Sequence, residues 1–252
     1  GHAIPRNQRV GFRHVALRAA FGDVVENAGQ MVATGGAARS RPGAMAATRL
    51  SDGTAMPNMF TDADAIADAI IRDVGGPLVV GLPLGLGKAN HIVNALYRRA
   101  ANDRSLKLTF FSALTLEKPK PSSALERRFI APVIERLFGG YPDLAYAEAL
   151  HAGTLPPNID VTEFFFLAGK WLRVPFAQQH YISANYTHAA SYLLTRGLNV
   201  ITQLVAKRIV NGETRYSLSC NTDTTLDLLQ ARAEGRASFR LIGQVNSELP
   251  FM

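Results

Sequence analysis

The stretch PLVVGLPLGLGKANHIVNALYRRA constrains the fold more than any other part of the chain. A short apolar run ends in closely spaced glycines, and an amphipathic segment follows at once. Ala89, Ile92, Val93, Leu96 and Ala100 recur at the i, i+3, i+4 spacing of a helix with one packed face. A buried strand that turns sharply into a helix is the repeating unit of a parallel α/β sheet.

Other signals alternate in the same way. TDADAIADAIIRDV reads as a helix capped by Thr61 with acids in its first turn, and LKLTFF (106–111) as the next strand. SSALERRFIAPVIERLF opens with Ser123 as cap and Glu126 three residues on, a capping-box spacing. VTEFFFLA and the strand HYISAN follow, then the helix THAASYLLTRG closed by Gly197, the strand NVITQLVA, a hairpin turning at Asn211-Gly212, and the strand FRLIGQVN. The expectation is an α/β domain with a largely parallel sheet and helices on both faces.

The glycine loop departs from both nucleotide fingerprints. A Walker loop requires G-x-x-x-x-G-K-[ST], but Leu82 replaces its first glycine and Ala89 its hydroxyl residue. Gly85-Leu86-Gly87 would need a small third residue where Asn90 stands. Two readings of the loop remain. It is a tight strand-to-helix turn, or it is a site where Gly85, Gly87, Lys88 and Asn90 meet a phosphate, carboxylate or thioester oxygen beside free helix-start amides. A nucleotide-binding protein using residues 81–90 is kept as an alternative function.

Charge excludes little. The net +7 is uneven: Arg6, Arg9, Arg13, Arg18, Arg39 and Arg41 against Asp23 and Glu26 leave +4 in residues 1–45 and +3 elsewhere. Basic residues do not alternate with aromatics as a nucleic-acid groove requires. Residues 1–45 are expected to be a disordered basic tail or non-native leader, with true starts at Met31 or Met45 considered, and residues 46–252 to be the folded domain. FFFLAGKWLRV is broken by Lys170 and Arg173, well short of the ~20 apolar residues of a membrane helix. The single cysteine, Cys220, excludes an internal disulfide framework and suits a reducing cytoplasm. The histidines, at positions 2, 14, 91, 151, 180 and 188, make no close-spaced ligand pair, so no metal site is expected. G-x-S-x-G is missing, which argues against a serine hydrolase elbow.

Several segments carry a family resemblance: GLPLGLGKANHIVNALY, FFSALTLEKPKPSSALERRFIAPVIERLF, GYPDLAYAEALHAGTLPPNIDVTEFFF, AQQHYISANYTH, NVITQLVA and LIGQVNSELP. In this order they resemble the amino-terminal half of the acetyl-CoA hydrolase/transferase family, within the class I CoA-transferases, over roughly residues 45–252. The resemblance implies a class I CoA-transferase-like domain that works with a second, carboxy-terminal half. The reaction would move CoA from a short acyl-CoA, acetyl first, to a small carboxylate or water through a glutamyl-CoA thioester. No cofactor is implied, CoA being a substrate. The glutamate nucleophile of the family lies in the second half and is expected beyond Met252, so no catalytic residue is expected within this chain. Glu248, inside QVNSELP, does not match the nucleophile motif. The chain is therefore expected to be a truncated half, inactive alone.

The resemblance places Gly85, Gly87 and Lys88 in the family's glycine turn, and Ser183, Asn185, Tyr186 and His188 where the YISANYTH strand meets a helix. Asn246 ends the last strand. Each also has a plainer role: Asn185 and Thr187 as caps, His188 as a hydrogen-bonded helix residue, Asn221 and Asp223 as turn and cap residues, Trp171 as core rather than an adenine platform. A non-catalytic CoA-binding or scaffold domain is the third reading, and self-association is left open. In the complete enzyme, Gly87→Val is expected to distort the turn and lower turnover.

Overall fold

The structure, a computed structural model, describes residues 23–25, 58–219 and 221–252. The expectations for the rest of residues 1–45, for the boundary at 46 and for Cys220 lie outside the described residues. In chain order the elements are β1 (Asp23–Val25), β2 (Asn58–Phe60), α1 (Ala63–Val74), β3 (Leu78–Gly81), α2 (Asn90–Asn102), β4 (Leu108–Ser112), α3 (Ala124–Phe138) and α4 (Ala145–Ala152). Then come β5 (Ile159–Glu163), α5 (Pro175–Gln179), α6 (Tyr186–Thr195), β6 (Val200–Val210), β7 (Glu213–Ser217), α7 (Asp223–Ala233) and β8 (Arg240–Val245). The strands order as β2-β1-β8-β6-β3-β4-β5, every neighbouring pair parallel, and β7 alone runs antiparallel, against β6. The α/β architecture with a largely parallel sheet is thus what the alternating signals predict.

Helices cover both faces because successive strand residues point opposite ways. Val80, Phe110, Val161 and Val200 pack with α1, α2 and α4 through Ile66, Ile92, Leu96 and Tyr146. The neighbouring residues Phe111 and Ile201 join Ala189 and Leu193 of α6 and Leu228 of α7 on the other face. Ala89, Ile92, Val93, Leu96 and Ala100 are all fully buried, as their spacing predicts. Each large side chain so buried contributes about 1.5–3 kcal/mol.

Three local predictions need correction. The cap of α1 is Asp62, not Thr61: its extended backbone lets the carboxylate accept from Ala65 N at 2.7 Å. HYISAN is not a strand. It contributes one bridge, Tyr181 to Glu163, squeezed between the end of α5 and the start of α6. Ahead of α7 the N-cap position falls to Thr222, without a side-chain cap bond. Ser123 does cap α3, accepting from Glu126 N at 3.1 Å, whereas the Glu126 carboxylate reaches back to Ser122 N at 2.6 Å rather than to Ser123. The hairpin turns where expected. Asn211 and Gly212 both have positive φ, 52° and 76°, as a type I′ turn requires.

Candidate functional site

All parallel strands of such a sheet end on one edge, and there the loops after β3, β4 and β5 lie side by side. Leu82 N donates to Phe111 O at 2.9 Å, Leu114 N to Phe165 O at 2.8 Å and Phe164 N to Ser112 O at 3.2 Å. The glycine segment 85–87 forms a single 3-10 turn that delivers the chain into α2. Gly85 sits at φ +52°, where a side chain is strained. Leu114, opposite it, adopts φ +46° although it is a leucine, and Ser219 adopts φ +58°. For a bulky residue such a conformation costs about 1–3 kcal/mol and persists only where neighbours fix it.

One neighbour is Lys88. Its side chain is only 2% exposed and turns inward, where Nζ donates to Ala113 O at 2.6 Å and Leu114 O at 3.2 Å. Both carbonyls of the strained segment are thereby held by one ammonium. Behind it lies Glu163, the last residue of β5, buried with Thr115 and Tyr146. Thr115 Oγ1 donates to Glu163 Oε1, and Thr115 Oγ1 and Tyr146 OH are 2.7 Å apart. Since the threonine proton goes to Glu163, Tyr146 is the donor of the second bond. Glu163 Oε2 is buried without a hydrogen bond.

Burial pushes the Glu163 carboxyl up, while the Thr115 hydrogen bond and the Lys88 charge pull it back. Burial, reinforced by the charge of Glu163, drives the Tyr146 hydroxyl well above its usual value and keeps it a donor. A carboxyl whose pKa is raised in the folded state contributes stability in full below its unfolded pKa and loses it as pH rises through the folded value. Thermal denaturation from acid towards neutral pH should therefore show a falling contribution that Glu163→Gln removes, flattening the profile in that window. An unchanged profile would mean that the carboxyl does not titrate with folding.

The second clamp on the turn comes from across the sheet. A Cβ on Gly87 would lie 2.3 Å from Asn221 Nδ2 and 2.9 Å from Asn221 Cβ, so the Asn221 side chain occupies that space. Asn221 Nδ2 donates to Leu84 O at 2.6 Å. Its own carbonyl accepts from Gln203 of β6, whose Oε1 takes the Thr225 hydroxyl at 2.7 Å. Asn221 does close a turn, its N–H donating to Leu218 O at 3.3 Å, but it does not cap α7, and its side chain links that turn and β6 to the glycine turn.

The other predicted residues fall in different settings. Asn90 is buried, its Nδ2 donating to Pro142 O at 2.7 Å. Ser183, Asn185, Tyr186 and His188 are exposed. Asn185 holds the N-cap position of α6 without a side-chain cap bond, its Oδ1 accepting instead from Thr187 Oγ1 at 2.6 Å. Tyr186 stands edge-on to Phe164, ring centroids 5.8 Å apart, which sets it beside the end of β5. Asn246 closes a turn beyond β8, accepting from Glu248 N at 2.9 Å. Trp171 is buried and stacks on His151, centroids 4.4 Å apart.

Met252, beyond which the family's nucleophile is expected, has an exposed side chain. Its backbone is nevertheless anchored: Ser217 Oγ, at the end of β7, donates to Met252 O at 2.8 Å, and Ser219 Oγ donates to Pro250 O at 2.8 Å. The segment after β8 thus runs back past the end of β7. The structure gathers Gly85, Gly87 and Lys88, and adds Glu163, Thr115, Tyr146 and Asn221, none of which was singled out from the sequence for this role.

Among the described residues no group of three or more His, Cys, Asp or Glu side chains is placed to hold a metal. Among them, too, no helix is long and apolar enough to cross a membrane. Comparison with family models finds none that matches, and comparison with curated proteins finds no match. Among solved structures, the chain is similar to RipA from Yersinia pestis, at 14% identity and a TM-score of 0.43, over 75% of this chain and 40% of that one. A point mutant of RipA matches at 15% identity and a TM-score of 0.44, over 75% and 39%. The chain spans about two fifths of the length of those structures. At such identity and score the likeness transfers no residue role.

Proposed function

We propose that this chain forms the amino-terminal half of an acyl-CoA hydrolase or acyl-CoA:carboxylate CoA-transferase, cytoplasmic and acting on a short acyl group such as acetyl. The observation that carries the reading is the strained, doubly clamped glycine turn at the carboxyl ends of the parallel strands. Ligands of open α/β sheets bind at that edge, and strained backbone gathers at functional sites. The sequence resemblance supplies the chemistry. A glutamate of the second half attacks the acyl carbonyl and expels CoA thiolate, leaving an acyl-glutamyl anhydride. The thiolate then attacks the glutamyl carbonyl and releases the acyl group as a carboxylate. The glutamyl-CoA thioester passes CoA to a second carboxylate, or water hydrolyses it.

In this reading the backbone of residues 85–87 approaches the thioester, and its amides stabilise the oxygen that becomes negative. Lys88 is a positioning residue, because its ammonium already holds the carbonyls of Ala113 and Leu114. Glu163 is a supporting residue and not the nucleophile, being only 3% exposed.

Calorimetric titration of the 252-residue chain with CoA, acetyl-CoA and ATP tests the proposal. Binding of CoA or its ester is expected, weakened about tenfold or more by Gly87→Ala, a loss of about 1.4 kcal/mol. Binding of ATP alone would replace this reading with the nucleotide one. Binding of CoA by a chain that stays inactive with its second half present would leave a scaffold.

A further inference from the structure

Strand β6 outruns the sheet it belongs to. Its pairing with β3 ends at Gly81 and Ile201, and its pairing with β8 at Val205 and Val245. Residues 206–210 therefore reach past the carboxyl edge and, among the described strands, are held by β7 alone. On this projecting hairpin Arg208 and Arg215 stand directly opposite each other. Like charges in that relation destabilise an antiparallel pair. Glu213, on the same face, lies 3.6 Å from Arg215 Nη2, within reach of an ion pair but too long for a hydrogen bond. Arg215 Nε is buried and, among the described residues, has no hydrogen-bond partner. Arg208 is exposed and sets its guanidinium over the ring of Phe251, 4.7 Å from the centroid. Stacking fixes the guanidinium while its N–H donors, which lie in its plane, can still meet an acceptor at the side.

Two guanidiniums on neighbouring strands suit a phosphate group. Arginine meets phosphate oxygens with paired donors, and the anion offsets the repulsion between the two cations. The position of the pair selects the carrier of that phosphate. Gln203 donates to Asn221 O, and Asn221 Nδ2 donates to Leu84 O, so Gln203 marks the level of the glycine turn on β6. Arg208 lies five residues further along the strand, a rise of roughly 17 Å at about 3.4 Å per residue. The extended pantetheine arm of CoA has a similar reach, with the thioester at one end and the phosphates at the other.

We propose that Arg208 and Arg215 bind the phosphates of CoA while the glycine turn holds its thioester. The proposal rests on the CoA-ester reading of that turn. Both arginines are binding residues, remote from the reacting atoms.

Two measurements on the 252-residue chain test it: calorimetric titration with CoA, and thermal melts with inorganic pyrophosphate, which shares only its phosphates with CoA. Arg208→Gln and Arg215→Gln are each expected to weaken CoA binding about tenfold or more, the effect of losing a charge-assisted contact, with an unchanged circular dichroism spectrum. Pyrophosphate should raise the Tm of the wild type and not that of the double variant. CoA bound equally by the wild type and the double variant, or a wild type that pyrophosphate does not stabilise, would overturn the proposal and leave the CoA reading of the turn standing. A wild type that is stabilised by pyrophosphate but binds no CoA would overturn the proposal and that reading together.

Discussion

Replacing Lys88 by methionine is expected to destabilise the protein by about 3–5 kcal/mol, the cost of removing one partner from a buried charged cluster. At the size of this domain that corresponds to a fall in Tm of about 10 °C. Methionine matches the stem of lysine, so the loss comes from the head group. Ala113 O and Leu114 O lose the buried ammonium they share, and the raised carboxyl of Glu163 loses the cation that holds it down. Glu163 then takes up a proton more readily, which limits the damage at acid pH. Thermal melts of Lys88→Met, Glu163→Gln and the double variant separate the two contributions. A double variant milder than the sum of the singles, by about 0.5–3 kcal/mol, shows electrostatic coupling. Strict additivity would mean that Lys88 acts through the two carbonyls alone.

Gly87→Ala is expected to cost about 1–3 kcal/mol, the usual penalty of adding a methyl group to a filled space. The clash is not with a flexible chain end, since Asn221 Cβ itself lies 2.9 Å from the added atom. Asn221 must therefore leave, giving up its bond to Leu84 O. Denaturant unfolding of Gly87→Ala in wild-type and Asn221→Ala backgrounds decides the point. Most of the cost should vanish once Asn221 is truncated. An equal cost in both backgrounds would place the strain in the backbone of the turn, whose φ is not in the left-handed region at Gly87.

These two residues also mark how far the sequence was legible. Lys88 and Gly87 stand out because they match the Gly-Lys of a phosphate loop, whereas Leu82 and Ala89 do not match its other positions. Their partners do not stand out. Glu163 reads as an ordinary acid at a strand end, and becomes a buried carboxyl only because the fold brings Thr115 and Lys88 to it from other loops. Asn221 resembles any asparagine before a helix, and its contact with Leu84 spans 137 residues of chain. Long helices and apolar strands such as α2 and β4 were readable because local spacing alone specifies their buried faces. The three-residue strand β1 was not, since Asp23–Val25 is too short to show a period and is ordered by pairing with Ile242, Gly243 and Gln244. HYISAN had the alternation of a strand without the neighbours to pair it.

That pairing governs the order in which the sheet is completed during synthesis. β8 lies between β1 and β6, so among the described strands β1 and β2 gain their link to β3, β4 and β5 only through β8. A ribosome that has released everything up to β7 holds two separate pieces of sheet, with one side of β6 still open to pair. Unpaired strand edges of that kind are where nascent chains stick to one another. Until residues 240–245 arrive, the burden is kinetic: the open side of β6 has to wait for β8 without accepting a stranger's strand.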